Sequence, residues 1–305
     1  MKETATWKPG SQKKILAWGK SKVGKTFGAG TFPRPCVLDF DRGMSTLLGP
    51  DFVKKHGVRK FIWEEFYERT FKGAIVTAHN AYDDACKFFD EMMKPGKRDM
   101  FDTWIIDSGT TLSSDAQNKA VILLGTDEYH HMSNTQKEAE KYGLLVPKIQ
   151  DYGAERSLVE QFVDMVLSSG KDVVFICHEK EVRDKQGNLI SLVPNLVGQS
   201  AEAVPLRFDE VYNIEAKKGE LKYYKETNST VQFWDRVCQT QPDGLRKVGS
   251  RNGVPNGTPW EYEAVSKAIA AGHAETMKQI AAAQASGDKA SLPSTAPTPA
   301  AVKTA

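Results

Sequence analysis

Short, wholly apolar runs alternate along this chain with stretches whose apolar residues recur at helical spacing, a texture that predicts an α/β fold. Ile15-Leu16-Ala17-Trp18 is the first run and Pro35-Cys36-Val37-Leu38-Asp39-Phe40 the second, with room for one short helix between them. Phe61-Ile62-Trp63 predicts another strand. Between residues 78 and 93, Ala81, Ala85, Phe88, Phe89, Met92 and Met93 mark one face of a helix, which Pro95-Gly96 ends. Residues 102–107 form the next buried-type strand. Residues 110–150 mix helix with irregular polar sequence, residues 155–167 read as an amphipathic helix stopped near Gly170, and residues 172–178 are a strongly apolar strand. Strands separated by helices predict a mainly parallel sheet with helices on both faces, because parallel neighbours need crossover connections.

Beyond His178 the texture changes. Residues 179–193 alternate charged and apolar side chains around Lys185-Gln186-Gly187-Asn188, a hairpin signature. Three strand-like runs follow at 210–215, 221–224 and 231–239, so the sheet is expected to finish with an antiparallel C-terminal extension. An alanine-rich helix is predicted over 260–283. From Ser286 onward Ala, Ser, Pro, Thr and Lys leave almost nothing to bury, and disorder is expected. The divisions that follow are an N-terminal arm (1–12), a core (13–255), a C-terminal helix (256–285) and a tail (286–305).

Directly after the first apolar run, Gly19-Lys20-Ser21-Lys22-Val23-Gly24-Lys25-Thr26 spells G-x-x-x-x-G-K-[ST], the phosphate-binding loop of P-loop NTPases. The glycines let consecutive backbone N–H groups turn inward on a polyphosphate, and the following helix, entered through Phe27, adds its positive end. Lys25 is placed to reach the β- and γ-phosphates and Thr26 to put its hydroxyl on Mg²⁺. The expected ligands are therefore ATP and Mg²⁺. Lys20 and Lys22 are either further phosphate contacts or solvated surface charges.

Composition changes the picture little. With 40% hydrophobic and 26% charged residues the chain is an ordinary globular sequence, and a net charge of +2 leaves any nucleic-acid contact to a local patch. Four scattered cysteines without a C-x-x-C pair read as reduced thiols, and neither a leader nor a bilayer-length apolar run is found, so a soluble cytoplasmic protein without membrane contact is expected. His130-His131 lacks partners at ligand spacing, and no metal site is expected there.

A phosphate loop needs a second carboxylate for Mg²⁺ and a group that orients the attacking water. Asp107, ending Trp104-Ile105-Ile106-Asp107, fits the metal position. The glutamate that follows it directly in most helicase-like and AAA-type ATPases is absent, since the next residue is Ser108. RecA-type ATPases carry the catalytic carboxylate at the end of the strand after the phosphate-loop helix, where Asp39 and Asp41 stand; Asp41 is the preferred base. His178, ending the later strand, is either a γ-phosphate sensor or a structural histidine.

The segments I-L-A-W-G-K-S-K-V-G-K-T, V-L-D-F-D-R-G, W-I-I-D-S and V-V-F-I-C-H together resemble the phage nucleotide-binding proteins of the RecA superfamily, in particular the Sak-type single-strand-annealing ATPases, over residues 13–255. Gln150-Asp151-Tyr152-Gly153, Pro194-Asn195-Leu196-Val197-Gly198 and residues 247–251 extend the likeness. The resemblance implies a RecA-like core, ATP hydrolysis stimulated by DNA, self-association on single-stranded DNA, and recombination or annealing in a phage-infected bacterial cytoplasm, with a single-strand DNA-binding protein as a further partner. It places DNA along residues 120–150 and 179–200, which contain Lys137, Lys141, Tyr142, Lys148, Lys180, Arg183 and Lys185. Glu138, Glu140, Glu179, Glu181 and Asp184 lie there too, so a salt-bridged hairpin is the competing reading. Arg251 or Lys247 would complete a neighbour's site. Aspartate at position 41 departs from the family's glutamate. Other readings of the same motifs are a helicase-like or accessory ATPase of replication, and a nucleotide-binding scaffold with little hydrolysis; a small-molecule kinase is disfavoured for want of an arginine-rich lid.

Overall fold

The computed structural model describes residues 12–66, 70–71, 74–75, 80–125, 147–224 and 229–285. In chain order the elements are β1 (Lys14–Gly19), α1 (Lys25–Ala29), β2 (Pro35–Asp39), α2 (Met44–Leu47), α3 (Pro50–His56), β3 (Ile62–Glu65), the two-residue strands β4 (Thr70–Phe71) and β5 (Ala74–Ile75), α4 (Ala81–Met92), β6 (Thr103–Asp107) and α5 (Gly109–Gly125). Then come α6 (Ile149–Leu167), β7 (Asp172–Arg183), β8 (Leu189–Pro194), α7 (Ser200–Ala203), β9 (Glu210–Tyr224), β10 (Ser229–Gln239), β11 (Gly249–Ser250), β12 (Thr258–Pro259) and α8 (Tyr262–Ala285).

The main sheet runs β12-β10-β9-β1-β7-β6-β2-β3, and its six strands from β9 to β3 are parallel. This is the mixed α/β architecture expected, with the crossover helices on both faces. Alternate side chains divide between two cores. Leu16, Trp18, Leu38, Trp104, Ile106 and Phe175 face α4, α5 and α6 on one side. Ile15, Ala17, Val37, Ile105, Val174 and Tyr212 face α1, α3 and α8 on the other. Burial on both faces is why these strands read as unbroken apolar runs.

Three expectations are corrected. The runs at 210–215 and 221–224 belong to one strand, β9, whose first half pairs parallel with β1; the antiparallel finish begins only at β10. Residues 216–220, with Lys217, Lys218 and Glu220, look like a break because beyond the core the strand continues as a ribbon whose backbone pairs with β10. Likewise β7 does not stop at His178 but runs to Arg183, its outer half pairing with β8 in the predicted hairpin. Helix α6 begins at Ile149, six residues before the periodic stretch at 155–167.

The C-terminal helix is joined to the same core. Trp260 is fully buried, donates its indole N–H to the Lys25 carbonyl at 2.8 Å and packs against Phe32 and Tyr212. Val265 and Ile269 follow it inward on α8. Gly28 leaves room for it: a Cβ there would lie 2.1 Å from the indole ring. Of the four free cysteines, Cys36, Cys177 and Cys238 are buried. No helix among the described residues is long and apolar enough to cross a membrane. The arm at 1–11, His130-His131 and the tail at 286–305 lie outside the described residues.

Candidate nucleotide-binding site

The sheet order brings the chemistry together. β7 lies between β1 and β6, with Gly19 level with His178, Ile176 level with Asp107, and Asp39 on β2 level with Asp107. The carboxyl ends of four parallel strands thus meet at one edge, where ligands of α/β sheets bind. A cavity of about 770 Å³ opens there, lined by Lys25, Thr26, Asp41, Asp107 and His178 among others.

The loop between β1 and α1 has the backbone its sequence requires. Gly24 has φ +92° and Lys22 φ +64°, and a Cβ on Gly19 would stand 2.5 Å from the Ile214 carbonyl of β9. Lys25 is buried, and its ammonium donates to the carbonyls of Gly19 and Lys20 at 3.0 and 2.7 Å. Desolvation lowers its pKa, against the pull of the nearby Asp107 carboxylate. Ser21 and Lys22 line the cavity, Lys20 is exposed, and Val23 packs beneath the loop against the α1 core. Phe27 is buried with its ring against Phe52.

Thr26 donates its hydroxyl to Asp107 Oδ2 at 2.6 Å. Burial pushes the Asp107 carboxyl up to about 6, the Thr26 hydrogen bond works against that, and the charges of Asp41 and Asp39 reinforce it. A Cβ on Gly43 would lie 2.5 Å from the same Oδ2, so the glycine keeps that side of the carboxylate clear. These residues fit a hydrated Mg²⁺: one carboxylate and one hydroxyl offer oxygen ligands, and three crowded carboxylates favour a cation. Among the described residues no group of three or more His, Cys, Asp or Glu could hold a metal by itself.

Asp39 and Asp41 have different tasks. Asp39 is fully buried and accepts the backbone N–H groups of Asp41, Gly43 and Met44, holding the turn into α2. Asp41 faces the cavity, with Oδ2 at 2.9 Å from His178 Nε2 and Oδ1 accepting the Thr111 hydroxyl. Burial alone would raise its pKa, but hydrogen bonds from His178, Thr111 and Ser108 outweigh it and bring the carboxyl down to about 2. Asp41 is therefore ionised at neutral pH, an acceptor suited to orienting a water rather than to holding its proton. Thr110, its neighbour, accepts the backbone N–H of His178 at 2.9 Å. The first turn of α5 thereby clamps both candidate residues.

The remaining candidates lie elsewhere. Arg251 is ion-paired with Asp209 at 2.9 Å beside the first residue of β9, at the edge of the sheet opposite the phosphate loop. Lys247 stands 3.5 Å from Glu202 and donates its backbone N–H to Leu192. Neither approaches the phosphate loop of its own chain. Lys180 lines a second, smaller groove of about 270 Å³ with Thr110, Ser114, Gln117, Tyr152 and Asn195. Arg183 is tied to Glu181 and the Gly187 carbonyl within the hairpin, and Lys185 is exposed in its turn. Lys137, Lys141 and Tyr142 lie outside the described residues.

Sequence reasoning missed Arg236, the Thr110-Thr111 pair and the buried Glu155. Arg236 on β10 reaches the cavity with its guanidinium 3.8 Å from the centroid of Phe27; only the pairing of β10 with β9 brings it there, so no local signal exists. Thr110-Thr111 follow Asp107 closely enough to have been suspected as polar residues opening a helix. Glu155, fully buried, accepts hydroxyls from Ser113 on α5 and Ser200 on α7, and burial pushes it up to about 7. Its sign in the sequence is a carboxylate within the apolar face of α6.

Compared with known families, residues 11–251 match the model of the AAA domain. No curated protein matches the chain.

Proposed function

The chain belongs to the AAA domain family, a P-loop ATPase family, and on that premise we propose that it uses ATP binding and hydrolysis to act on single-stranded DNA, as a recombination or annealing factor of phage type. The observation that carries this reading is the shared wall at the start of α5. Thr111 holds Asp41, Thr110 holds the backbone of His178, and Thr110 also lines the groove that contains Lys180, Tyr152 and Asn195. A cation, an exposed tyrosine and neutral hydrogen-bonding groups are the equipment for gripping a phosphodiester backbone and stacking a base. A ligand in that groove touches the same helical turn that orients the water-facing carboxylate.

In this reading Phe27 and the loop from Gly19 to Thr26 hold the polyphosphate, and Thr26 and Asp107 hold Mg²⁺, which supplies charge neutralisation when bound. Asp41 orients the attacking water, replacing the glutamate that Ser108 does not provide. His178 sits where the state of the γ-phosphate is felt at the base of the β7–β8 hairpin. Self-association is part of the proposal, with Arg251 or Lys247 entering a neighbour's site.

The test is ATP turnover by the full chain with and without oligo-dT, beside a fluorescence anisotropy assay for strand binding. Stimulation by the oligonucleotide, and its loss together with nucleotide binding in Lys25→Ala, is expected. Brisk hydrolysis with neither stimulation nor strand binding would leave the chain an ATPase and remove DNA from its function.

A further inference from the structure

The triphosphate end of the cavity is defined by Lys25, Thr26 and Asp107, so the nucleoside must extend the other way. Thr46, Gly49, Pro50 and Arg236 line the same cavity. Resting on the nucleotide-binding reading above, we infer that Arg236 is a stacking platform for the base, forming with the Gly49-Pro50 turn a slot for a planar heterocycle.

Several features place the side chain for that task. Its guanidinium lies over the Phe27 ring, which is itself fixed by Phe52 and His56 and is only 5% exposed, so a base entering here meets the guanidinium rather than the phenyl face. The stem lies flush on the phosphate loop: a Cβ on Gly24 would be 1.9 Å from Arg236 Nε. Among the described residues the guanidinium has no hydrogen-bond or ion-pair partner. Glu261 and Asp51 act on it from a distance, but Glu261 is paired with Lys55. Burial accordingly lowers the Arg236 pKa, though it remains a cation. A half-buried arginine held in place by packing and offered to a ligand cavity is suited to π-stacking and cation–π contact, which a lysine's point charge does not reproduce.

The experiment separates base from phosphate. Titration calorimetry of the full chain with Mg-ATP and with Mg-tripolyphosphate, which lacks a base, is run on wild type, Arg236→Ala and Arg236→Lys. Stacking of one base makes the expected loss of ATP affinity about tenfold to a hundredfold in both variants, with tripolyphosphate affinity unchanged. The lysine variant keeps the charge and stem and serves if the alanine variant does not fold. Parallel losses for ATP and tripolyphosphate would make Arg236 a phosphate ligand and overturn the stacking role. Full ATP affinity in either variant overturns it as well. If wild type binds tripolyphosphate as tightly as ATP, the base slot fails while the phosphate loop stands; if it binds neither, both readings fall together.

Discussion

Replacing Asp107 with Asn should stabilise the nucleotide-free protein at alkaline pH while disabling its Mg²⁺-dependent step. The wild-type carboxyl is buried and pushed up to about 6, against roughly 3.9 in an unfolded chain. A raised carboxyl pKa means that the folded state binds the proton more tightly, so stability falls as pH rises from about 4 through 6 and then levels. A difference of ~2 pKa units corresponds to about 3 kcal/mol, most of which is lost between pH 4 and pH 8. Asn keeps an oxygen for the Thr26 hydroxyl but has no charge to desolvate. Urea unfolding without nucleotide or metal, at several pH values, measures both proteins. Glu155 shifts with the same sign, pushed up to about 7, so the diagnostic quantity is the difference between variant and wild type, in which Glu155 cancels. That difference should grow in the variant's favour by about 2 to 3 kcal/mol from pH 4 to pH 8, and saturating Mg-ATP should reverse the order. A difference that stays flat with pH would refute the buried-charge argument.

Asp41→Asn should leave ATP binding nearly intact and slow hydrolysis by about a hundredfold or more, whereas Asp39→Asn, which weakens three backbone hydrogen bonds, should lower the unfolding midpoint first; steady-state turnover and thermal melts decide, and the opposite pattern would exchange their roles. Trp260→Ala should cost about 3 to 5 kcal/mol of stability, read by urea unfolding, because a fully buried indole and its bond to the Lys25 carbonyl are both lost; a loss under about 1 kcal/mol would show that α8 is not part of the core. Mixing an Arg251→Ala subunit with a Lys25→Ala subunit should restore hydrolysis if the arginine works on a neighbour's site. No recovery with assembly confirmed by sedimentation would exclude Arg251, and the same mixture with Lys247→Ala would test the lysine.

The phosphate loop was legible because its chemistry is local: eight consecutive residues carry the turn, the ammonium and the hydroxyl. The buried strands were legible too, since a strand covered on both faces has nowhere to place a polar residue. Asp107 could be named as a strand end for the same reason, and His178 as the end of the apolar half of β7, which itself runs on to Arg183. Their mutual positions could not, because the order β1-β7-β6-β2 is set by which crossovers pack over which face, and no single segment encodes that. The choice between Asp39 and Asp41 also needed the fold: both are aspartates two residues apart, and only the turn into α2 decides which one receives three N–H groups and which one faces the cavity. Arg236 and Trp260 lie more than two hundred residues from the loop they touch. Pairing of β10 with β9 and docking of α8 bring them there, an arrangement fixed by long-range hydrogen bonding and burial rather than by any pattern in their own neighbourhoods.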